Sequence, residues 1–582
     1  MLHELINYAR REGLEVEPGF APRDVRWAIS VSSSGEFLGL LELGDTTARR
    51  NPGRRFLKAP DLIHGELIAG GVTKSHFLVE TLGVVAGFDE PDEKRAAKRR
   101  YFIWLLRQAS AVMPALTAAA TVLEDEAAMS RLRLQLTEAK ARPTDKATLS
   151  IGGEFPVERA DWHDWWREFR AGLSARQSPS DKMLCFLTGE AVEPAATHPK
   201  ISGLPGANAF GAPLIGFDKP AFESYGLEQS ANAAMSEEMA KMYQAGLNDL
   251  IRRHSSRLGR LDVVVVHWYR SNVAVEDDPL AWLEESPDAT EADARIRARK
   301  LVTAIREGTR PDLAGNTYYA LSLSGNGGRV MVRDWMEGGF EELAGAVEAW
   351  FSDLEIVRPQ GGGIAPPPRF FTLLSALVRD PKDVPAPLGA KLFRAAVRAE
   401  PIPFAAMAQA LARARVDFIQ GNTLNPARMG LLRAYFGRKQ RMEKGVREMT
   451  ETMQAGLTED LANPAYQCGR LMAVLAAVQR AALGDVGADV IQRYYAAASS
   501  TPALVFGRLV RTAQFHLGKV KQEKPGLAWW YEERIADICT RIGTSMPATL
   551  TLEEQGLFAL GYYQQQAALR APKQDDTKEG EK

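Results

Sequence analysis

Hydrophobic and polar positions divide the chain into a mixed first part and a helical second part. Two β-rich runs flank a Ser-Ser-Ser-Gly turn within 26–43, and this arrangement predicts a hairpin. A second hairpin is predicted over 316–338 around Gly-Asn-Gly-Gly, and the apolar run at 261–270 predicts a buried strand. After residue 370 nearly every segment has the period of an amphipathic helix. We therefore predict an α+β protein, with a mixed α/β N-terminal region followed by an all-α C-terminal bundle.

A stretch rich in glycine and proline marks the predicted domain boundary. Residues 359–369 read PQGGGIAPPPR, which neither a helix nor a central strand can accommodate. This predicts an N-terminal region over 1–358, a linker at 359–369 and a helical bundle over 370–570. The polar residues 571–582 predict a disordered tail.

Composition removes several classes of protein. The 582 residues are 45% hydrophobic and 25% charged, as in ordinary globular proteins. No apolar run is long enough to cross a bilayer, and the N-terminus lacks the features of a secretory signal. The three cysteines stand far apart, so neither a disulfide framework nor a cysteine-based zinc site is expected. We expect a cytoplasmic protein with no membrane partner.

The net charge of −1 argues neither for nor against binding of nucleic acid, but basic residues cluster in two places. Residues 49–58 hold five basic residues and no acidic one around an Asn-Pro-Gly turn, which predicts an exposed basic loop. Residues 391–447 hold 12 basic and 3 acidic residues. Such an imbalance is typical of a face that contacts phosphates. The alternative is a solvated helical surface, balanced by the acidic stretch 276–293.

The chain lacks the signatures of common enzymes. We find no phosphate-binding GxxxxGK[ST] loop, no HExxH, no CxxC and no GxSxG. Asp45, Asp61, Glu66 and Glu80 could gather around a metal, but four dispersed carboxylates in one domain are expected by chance. We therefore expect no catalytic residue, no cofactor and no metal, and a binding or assembly protein with basic faces.

Five separated segments resemble one protein family. They lie at 185–251, 318–335, 424–436, 463–484 and 499–520. The first contains CFLTGE from Cys185, HPKI from His198 and FESYGLEQSAN from Phe222. In this order they resemble the large subunit of the type I-C CRISPR surveillance complex, Cascade. Two positions depart from the family pattern: Gly325 stands where proline is usual, and Thr81 where asparagine is usual.

The resemblance implies a non-enzymatic subunit of a crRNA-guided antiviral ribonucleoprotein. Such a subunit recognises the protospacer-adjacent motif in duplex DNA, aids unwinding, stabilises the R-loop and presents a docking surface for the helicase-nuclease. The implied partners are the crRNA-bearing backbone, handle-capping and small subunits, the double-stranded target DNA, its displaced single strand, and the helicase-nuclease. Two alternatives remain: a metal-dependent nucleic-acid-processing enzyme, and a structural cap that does not touch DNA.

The resemblance also suggests which residues contact nucleic acid. In the N-terminal region the expected contacts to the motif and its duplex are Lys74, Ser75, His76, Arg49, Arg50, Arg54, Arg55 and Lys58. At the tip of the second hairpin, Asn326 and Arg329 are placed to project into a groove or toward the handle of the guide RNA. For the displaced strand, the expected contacts are Arg470, Arg493, Arg508, Arg511, Lys519 and Lys521.

The family further implies a second product, since its C-terminal helical part can be translated from an internal start to give the small subunit. Met449 and Met453 precede the matching segment that begins at 463. A start at either would give a product that covers about 449–570 and the tail. The alternative is that both are ordinary helix methionines.

Overall fold

The computed structural model forms two compact units. It describes residues 1–14, 17–45, 51–62, 66–67, 71–88, 92–174, 182–195, 197–208, 211–253, 255–257, 263–283, 292–422, 424–444, 453–484, 486 and 489–572. Unit 1 comprises Met1–Ile201 and Pro213–Asp249, and unit 2 comprises Ser202–Ala212 and Leu250–Lys582. Arg49, Arg50, Met449 and most of the predicted tail lie outside the described residues. Within the described part, no helix is long and apolar enough to span a membrane.

Unit 1 is built on a four-stranded sheet and short two-stranded pairs. Its strands are β1 (Phe20–Val25), β2 (Trp27–Val31), β3 (Phe37–Glu42), β4 (Arg54–Pro60), β5 (Glu80–Thr81), β6 (Lys146–Ile151), β7 (Met183–Leu184), β8 (Ala191–Val192) and β9 (Lys200–Ile201). One sheet has the order β3-β2-β6-β5, with β2 and β6 parallel, and β1 pairs antiparallel with β4. The predicted hairpin over 26–43 is confirmed as β2 and β3.

The other regular elements of unit 1 are helices. They are α1 (Leu2–Arg11), α2 (Leu82–Val85), α3 (Glu93–Ala109), α4 (Leu116–Glu124), α5 (Glu126–Glu138) and α6 (His163–Ser174), and α7 (Glu237–Arg253) starts in this unit. Trp162 and Trp166 are fully buried in the core of unit 1; Trp166 stacks on Phe77, and Trp162 meets Phe77 edge-to-face. This core therefore fixes the chain around residue 77, where motif-reading residues are expected.

Unit 2 begins with a four-stranded antiparallel sheet of order β11-β12-β13-β14. Its strands are β11 (Ser255–Arg257), β12 (Val264–Tyr269), β13 (Thr317–Asn326) and β14 (Arg329–Gly339), and the short strands are β10 (Ala212–Pro213), β15 (Ile356–Val357) and β16 (Ile364–Ala365). The predicted buried strand and second hairpin are both confirmed. β13 is buried along nearly its whole length, and both of its faces are covered, including Ser322 and Ser324.

The rest of unit 2 is helical. Its helices are α8 (Pro279–Trp282), α9 (Ala292–Arg306), α10 (Phe340–Leu354), α11 (Phe370–Ala376), α12 (Ala386–Arg398), α13 (Phe404–Gln420), α14 (Pro426–Lys444), α15 (Pro464–Leu483), α16 (Val490–Ala498), α17 (Pro502–Glu523), α18 (Pro525–Ile542) and α19 (Leu552–Arg570). Helices α15 and α19 lie in close contact because glycines face the opposite backbone. A Cβ on Gly469 would stand 2.0 Å from the Phe558 carbonyl oxygen, and one on Gly561 would stand 2.1 Å from that of Tyr466.

The predicted fold class is confirmed: an α+β protein with sheets in its N-terminal region and a helical C-terminal region. The predicted linker at 359–369, however, falls inside unit 2, and residues on both sides of it share one hydrophobic core. Its glycines form the turn of the β15–β16 hairpin, which packs on α19: a Cβ on Gly361 would stand 2.5 Å from the Ala567 carbonyl oxygen. The glycine-rich sequence thus allows close packing rather than separation.

Candidate nucleic-acid interface

The predicted basic loop of unit 1 is in fact a strand. Arg54, Arg55 and Lys58 lie on β4: Arg54 and Arg55 are exposed, Lys58 is half-buried, and Phe56 between them is buried. Arg55 faces Asp24 directly across the β1–β4 ladder, and their charged groups are 3.3 Å apart. The aromatic ring of Phe155 lies under Arg54, 4.9 Å from its guanidinium carbon.

Each of these β4 cations has an acidic partner. Arg54 pairs with Glu158 at 2.5 Å and Lys58 with Glu17 at 2.7 Å. The pairs are roughly 40% exposed, and exposed ion pairs contribute only about 0–1 kcal/mol. The β4 cations can therefore exchange a carboxylate for a phosphate at small cost, but they do not form an unbalanced positive patch.

Lys74, Ser75 and His76 are not placed as surface contacts. Lys74 and Ser75 are buried and His76 is half-buried. The Nδ1 atom of His76 accepts a hydrogen bond from the Leu62 amide at 3.2 Å, and Glu80 accepts one from the His76 amide at 3.2 Å. Burial lowers the pKa of His76, although the charges of Asp61 and Glu80 oppose this. The prediction that these residues reach base edges is corrected: they hold the chain around residue 76 in place.

A buried ionic network lies next to them. Lys241 Nζ donates to Asp61 at 3.0 Å, and Arg23 forms a second ion pair with the same carboxylate. Burial disfavours the charged form of Asp61, but Lys241 and Arg23 outweigh it and lower the pKa of Asp61 to about 2. Arg170 joins Glu66 and Glu237, each at 2.7 Å.

The alternative of a metal-dependent enzyme required the dispersed carboxylates to converge. Two of them, Asp61 and Glu66, are paired with cations instead. Glu80 accepts hydrogen bonds from the amides of His76 and Thr81. In the part of the chain that the structure describes, no group of three or more His, Cys, Asp or Glu residues could hold a metal ion.

The tip of the β13–β14 hairpin is fixed by the loop at 205–208. The Gly325 amide donates to the Pro205 carbonyl at 3.0 Å, and the Gly327 amide donates to that of Gly206 at 2.9 Å. Asn326 is exposed at this tip, and Arg329, its partner across the ladder, is half-buried. Asn326 is therefore held on a rigid support, as a contact residue requires.

The exposed basic face of the C-terminal region is concentrated on one side of α17. At roughly 100° per residue, positions 504, 508, 511, 515 and 519 fall within about 80° of one another. We call these residues the α17 stripe; they are Leu504, Arg508, Arg511, Phe515 and Lys519, all exposed. Arg493, on the neighbouring α16, is exposed too, whereas Lys521 is exposed but about 100° away from the stripe.

Two large apolar side chains stand among these cations. Leu504 is 81% exposed and Phe515 is 73% exposed. On the same side of α17, a Cβ on Gly507 or Gly518 would meet nothing within 4 Å, so the helix backbone there is open. The prediction of the displaced-strand surface did not include Phe515 or Leu504. The signal for them was available, since both share the period of Arg508 and Arg511 rather than that of the core residues.

Arg470 does not belong to this exposed face. It is fully buried, and its Nε donates to Gln565 at 3.0 Å while its Nη1 donates to the Glu459 carbonyl at 2.9 Å. Arg470 therefore ties α15 to α19 and to the segment that precedes α15.

The basic segment 391–447 is also largely turned inward. Arg428 is buried against Asp417, and Arg438 against Asp353. Arg433 Nη1 donates to three backbone carbonyls at the end of α10. The prediction of a phosphate-binding face over this segment is therefore wrong for these arginines, because each satisfies an acidic or carbonyl group inside unit 2.

The resembling segment FESYGLEQSAN contains an exposed aromatic residue of unit 1. Tyr225 is fully exposed, and its φ of 56° lies in the left-handed region that non-glycine residues rarely occupy. Asn232 holds this loop: its Oδ1 accepts from the Ser224 amide at 2.9 Å, and its Nδ2 donates to the Leu227 carbonyl at 2.7 Å. The loop thus presents Tyr225 to solvent at a cost in backbone strain.

Comparison with known proteins places this geometry in a family. The family model described as CRISPR-associated protein (Cas_Csd1) matches residues 2–570, so the match covers both units and nearly all the described residues. No curated protein matches the chain. The predicted resemblance is confirmed: the chain belongs to the Csd1 family of CRISPR-associated proteins, which is consistent with a Cascade large subunit of type I-C.

Proposed function

We propose that this Csd1-family chain recognises the protospacer-adjacent motif in duplex DNA, helps to open the duplex and holds the displaced strand. The observation that carries the proposal is the family match over residues 2–570. In such complexes the guide RNA reads the target by base pairing, while the protein reads a short flanking motif. This function therefore requires correctly positioned contacts to DNA and does not require catalysis.

The α17 stripe is proposed to hold the displaced strand. Proteins that bind single strands without sequence preference combine cations along the backbone with aromatic side chains on which bases stack. Arg508, Arg511 and Lys519 supply the cations, and the exposed ring of Phe515 supplies a stacking surface. Arg508 also lies 5.8 Å from the ring centroid of Tyr494, which restrains its long side chain. The open backbone at Gly507 and Gly518 would let a nucleotide approach closely.

In unit 1, the cations of β4 are proposed to contact phosphates of the duplex beside the motif. Arg54, Arg55 and Lys58 are spaced along one strand, and their existing ion pairs are exposed. Base-edge contacts need other side chains, because Lys74 and Ser75 are buried. Tyr225 is the exposed residue of this unit that we propose as a wedge against a base step.

We further propose that the chain has no catalytic role and works through partners. These are the crRNA-bearing backbone, handle-capping and small subunits, and a helicase-nuclease that docks after the duplex is opened. Purified chain, incubated with plasmid DNA and Mg²⁺ or Mn²⁺, is expected to leave the DNA intact. Metal-dependent cleavage by the purified chain would favour a nucleic-acid-processing enzyme instead.

The deciding experiment is duplex binding by the reconstituted crRNA complex, with and without this chain. The targets carry a randomised trinucleotide beside the protospacer, and bound sequences are recovered and read. We expect binding to depend on the flank only when the chain is present. If the flank makes no difference, motif recognition belongs to another subunit, and the chain is a structural cap.

A further inference from the structure

Unit 2 contains a cavity of about 340 Å³ beside the C-terminal end of α10. Residues of α10, of α14 and of the turn after α12 line it: Ala349, Ser352, Asp353, Ala399, Pro401, Arg438, Arg441 and Met442. One part of the lining is apolar, and the other carries two guanidinium groups and one carboxylate. None of its lining residues belongs to the α17 stripe or to β4, so the proposed DNA contacts do not use it.

The two arginines share a single carboxylate. Arg438 Nε donates to one oxygen of Asp353 and Arg441 Nη2 donates to the other, both at 2.7 Å. Both oxygens are therefore engaged, and one positive charge stays uncompensated. The Arg438 side chain is only 3% exposed, whereas that of Arg441 is 35% exposed, so the second positive charge can be reached from solvent.

Arg438 also has one N–H donor group that its protein contacts leave unused. Its Nη1 donates to the carbonyls of Ala395 and Glu400, each at 2.6 Å. Its Nη2 is buried and has no hydrogen-bond partner among the residues that the structure describes. Buried donors in native proteins are nearly always satisfied, so the missing partner points to a group that the chain does not supply.

Nearby acidic residues are already paired. Arg394 bonds the carboxylates of Asp334 and Glu400, each at 2.9 Å. Arg433 cannot relieve the imbalance either, since it is a cation that donates to carbonyls at the end of α10. Among the residues that the structure describes, these nearby carboxylates therefore do not neutralise the excess positive charge of the cavity.

We propose that this cavity binds a phosphate group, carried by a nucleotide or by a nucleic-acid chain. Guanidinium groups donate to phosphate oxygens with strong, charge-assisted hydrogen bonds. A tetrahedral phosphate presents oxygens in several directions and can accept from Arg438 and Arg441 together, whereas a second planar carboxylate would duplicate the position that Asp353 fills. The volume exceeds that of a phosphate, and the apolar wall of Ala349, Pro401 and Met442 leaves room for a sugar or base. This assignment does not depend on the DNA-binding function proposed above.

The test uses the full chain and three probes at constant ionic strength: inorganic phosphate, adenosine 5′-monophosphate and a short single-stranded oligonucleotide. Isothermal titration calorimetry is expected to give saturable binding that matched chloride does not reproduce. Arg441→Gln removes the half-exposed guanidinium, and Met442→Glu places a carboxylate at the mouth, where Met442 is 66% exposed. Each variant is expected to weaken binding by about tenfold or more.

Lys439→Gln is the matched control, because it removes a cation from the same helix without touching the cavity lining. It is expected to bind the probes as the original chain does. Thermal unfolding without ligand checks that the variants fold. If one cavity variant does not fold, the other is sufficient for the test. If adenosine 5′-monophosphate binds more tightly than inorganic phosphate, the ligand of the cavity is a nucleotide. If the oligonucleotide displaces inorganic phosphate, the ligand is a nucleic-acid chain. The proposal is overturned if no probe gives saturable binding, or if both cavity variants bind the probes like the original chain.

Discussion

The ring of Phe418 on α13 stacks on that of Tyr495 on α16, with ring centroids 4.2 Å apart and planes 27° from parallel. The two residues lie on opposite sides of the predicted internal starts at Met449 and Met453. The same division separates Arg415 from Gln555, which are 3.1 Å apart, and Lys439 from Glu553, which are 2.7 Å apart. In the full chain, α13 and α14 thus cover a face that a separately translated product would leave open.

A product that starts at Met453 is therefore expected to need a partner. Without α13 and α14 it exposes the apolar surface around Tyr495 and Phe558, and exposed patches of this kind drive association. We expect the purified 453–582 fragment to self-associate on size-exclusion chromatography with light scattering and to bind a hydrophobic dye. A fragment that stays monomeric, binds no dye and unfolds as cooperatively as the full chain would contradict this.

The α17 stripe makes a prediction for displaced-strand binding. Arg508→Ala, Arg511→Ala and Lys519→Ala are each expected to lower the salt slope of single-strand binding by about one unit, because each removes about one phosphate contact. Phe515→Ala is expected to cost about 1–3 kcal/mol of binding free energy through lost stacking, with the salt slope unchanged. Fluorescence anisotropy over a range of salt concentrations separates the two effects.

Lys521→Ala is the matched control for the stripe, since Lys521 lies on the same helix but off its line. It is expected to change the salt slope by less than any stripe residue. Arg470→Ala is expected to behave differently again, because it removes the buried links to Gln565 and Glu459 and so lowers the stability of the chain. If Lys521→Ala and Arg508→Ala had equal effects, binding would follow net charge rather than the stripe.

At the two exposed glycines of α17, substitution by alanine is expected to affect stability and strand binding in opposite directions. Glycine inside a helix costs about 0.5–1 kcal/mol relative to alanine, and the added methyl group meets nothing within 4 Å at either position. Gly507→Ala and Gly518→Ala are therefore each expected to raise the free energy of unfolding by about that amount, as measured in urea. If a nucleotide lies against this backbone, the same variants should bind single strands more weakly. Unchanged binding would show that the strand stays away from the backbone.

The sequence predicts the elements of this chain better than its surfaces. The hairpin at 26–43 and the strand before Tyr269 follow from local periodicity, which each segment carries by itself. The burial of Arg470 does not follow from periodicity, because its partners Gln565 and Glu459 are brought in by tertiary packing. Charge counting along the chain treats every arginine as exposed, and it cannot distinguish the inward Arg438 from the outward Arg511.

The domain boundary was harder to predict from the sequence, again because it depends on tertiary packing. A run of glycines and prolines is equally compatible with a flexible linker and with a tight hairpin that packs on a helix. Contacts with α19 show the second arrangement: the Tyr563 hydroxyl, for example, donates to the Val357 carbonyl at 2.7 Å. Tyr563 is 206 positions away in sequence, beyond the reach of a local pattern.

The buried Asp61 predicts how stability changes with pH. Its pKa falls from 3.8 to about 2 on folding, so its contribution is fully present above about pH 4 and is lost as the pH falls through 2. The shift corresponds to about 2 kcal/mol. Asp61→Asn should be less stable at neutral pH, because Lys241 and Arg23 lose their shared carboxylate, and it should lose less stability between pH 4 and 2. Urea unfolding across this pH range measures both, and parallel curves for the two proteins would rule out the assigned role.

The departure from the family pattern at Gly325 gives the last prediction. A Cβ at this position would stand 2.2 Å from the Ala207 amide nitrogen, and proline would also remove the amide that donates to the Pro205 carbonyl. Gly325→Ala is therefore expected to lower the free energy of unfolding by about 1–3 kcal/mol, and Gly325→Pro by more. Gly328→Ala is the control at the same hairpin tip, since nothing lies within 4 Å of a Cβ there. Urea unfolding gives the stabilities, and proteolysis of the 205–208 loop reports its release. If Gly325→Pro proved as stable as the original chain, the loop would not be held by the hairpin tip, and the rigid support proposed for Asn326 would be absent.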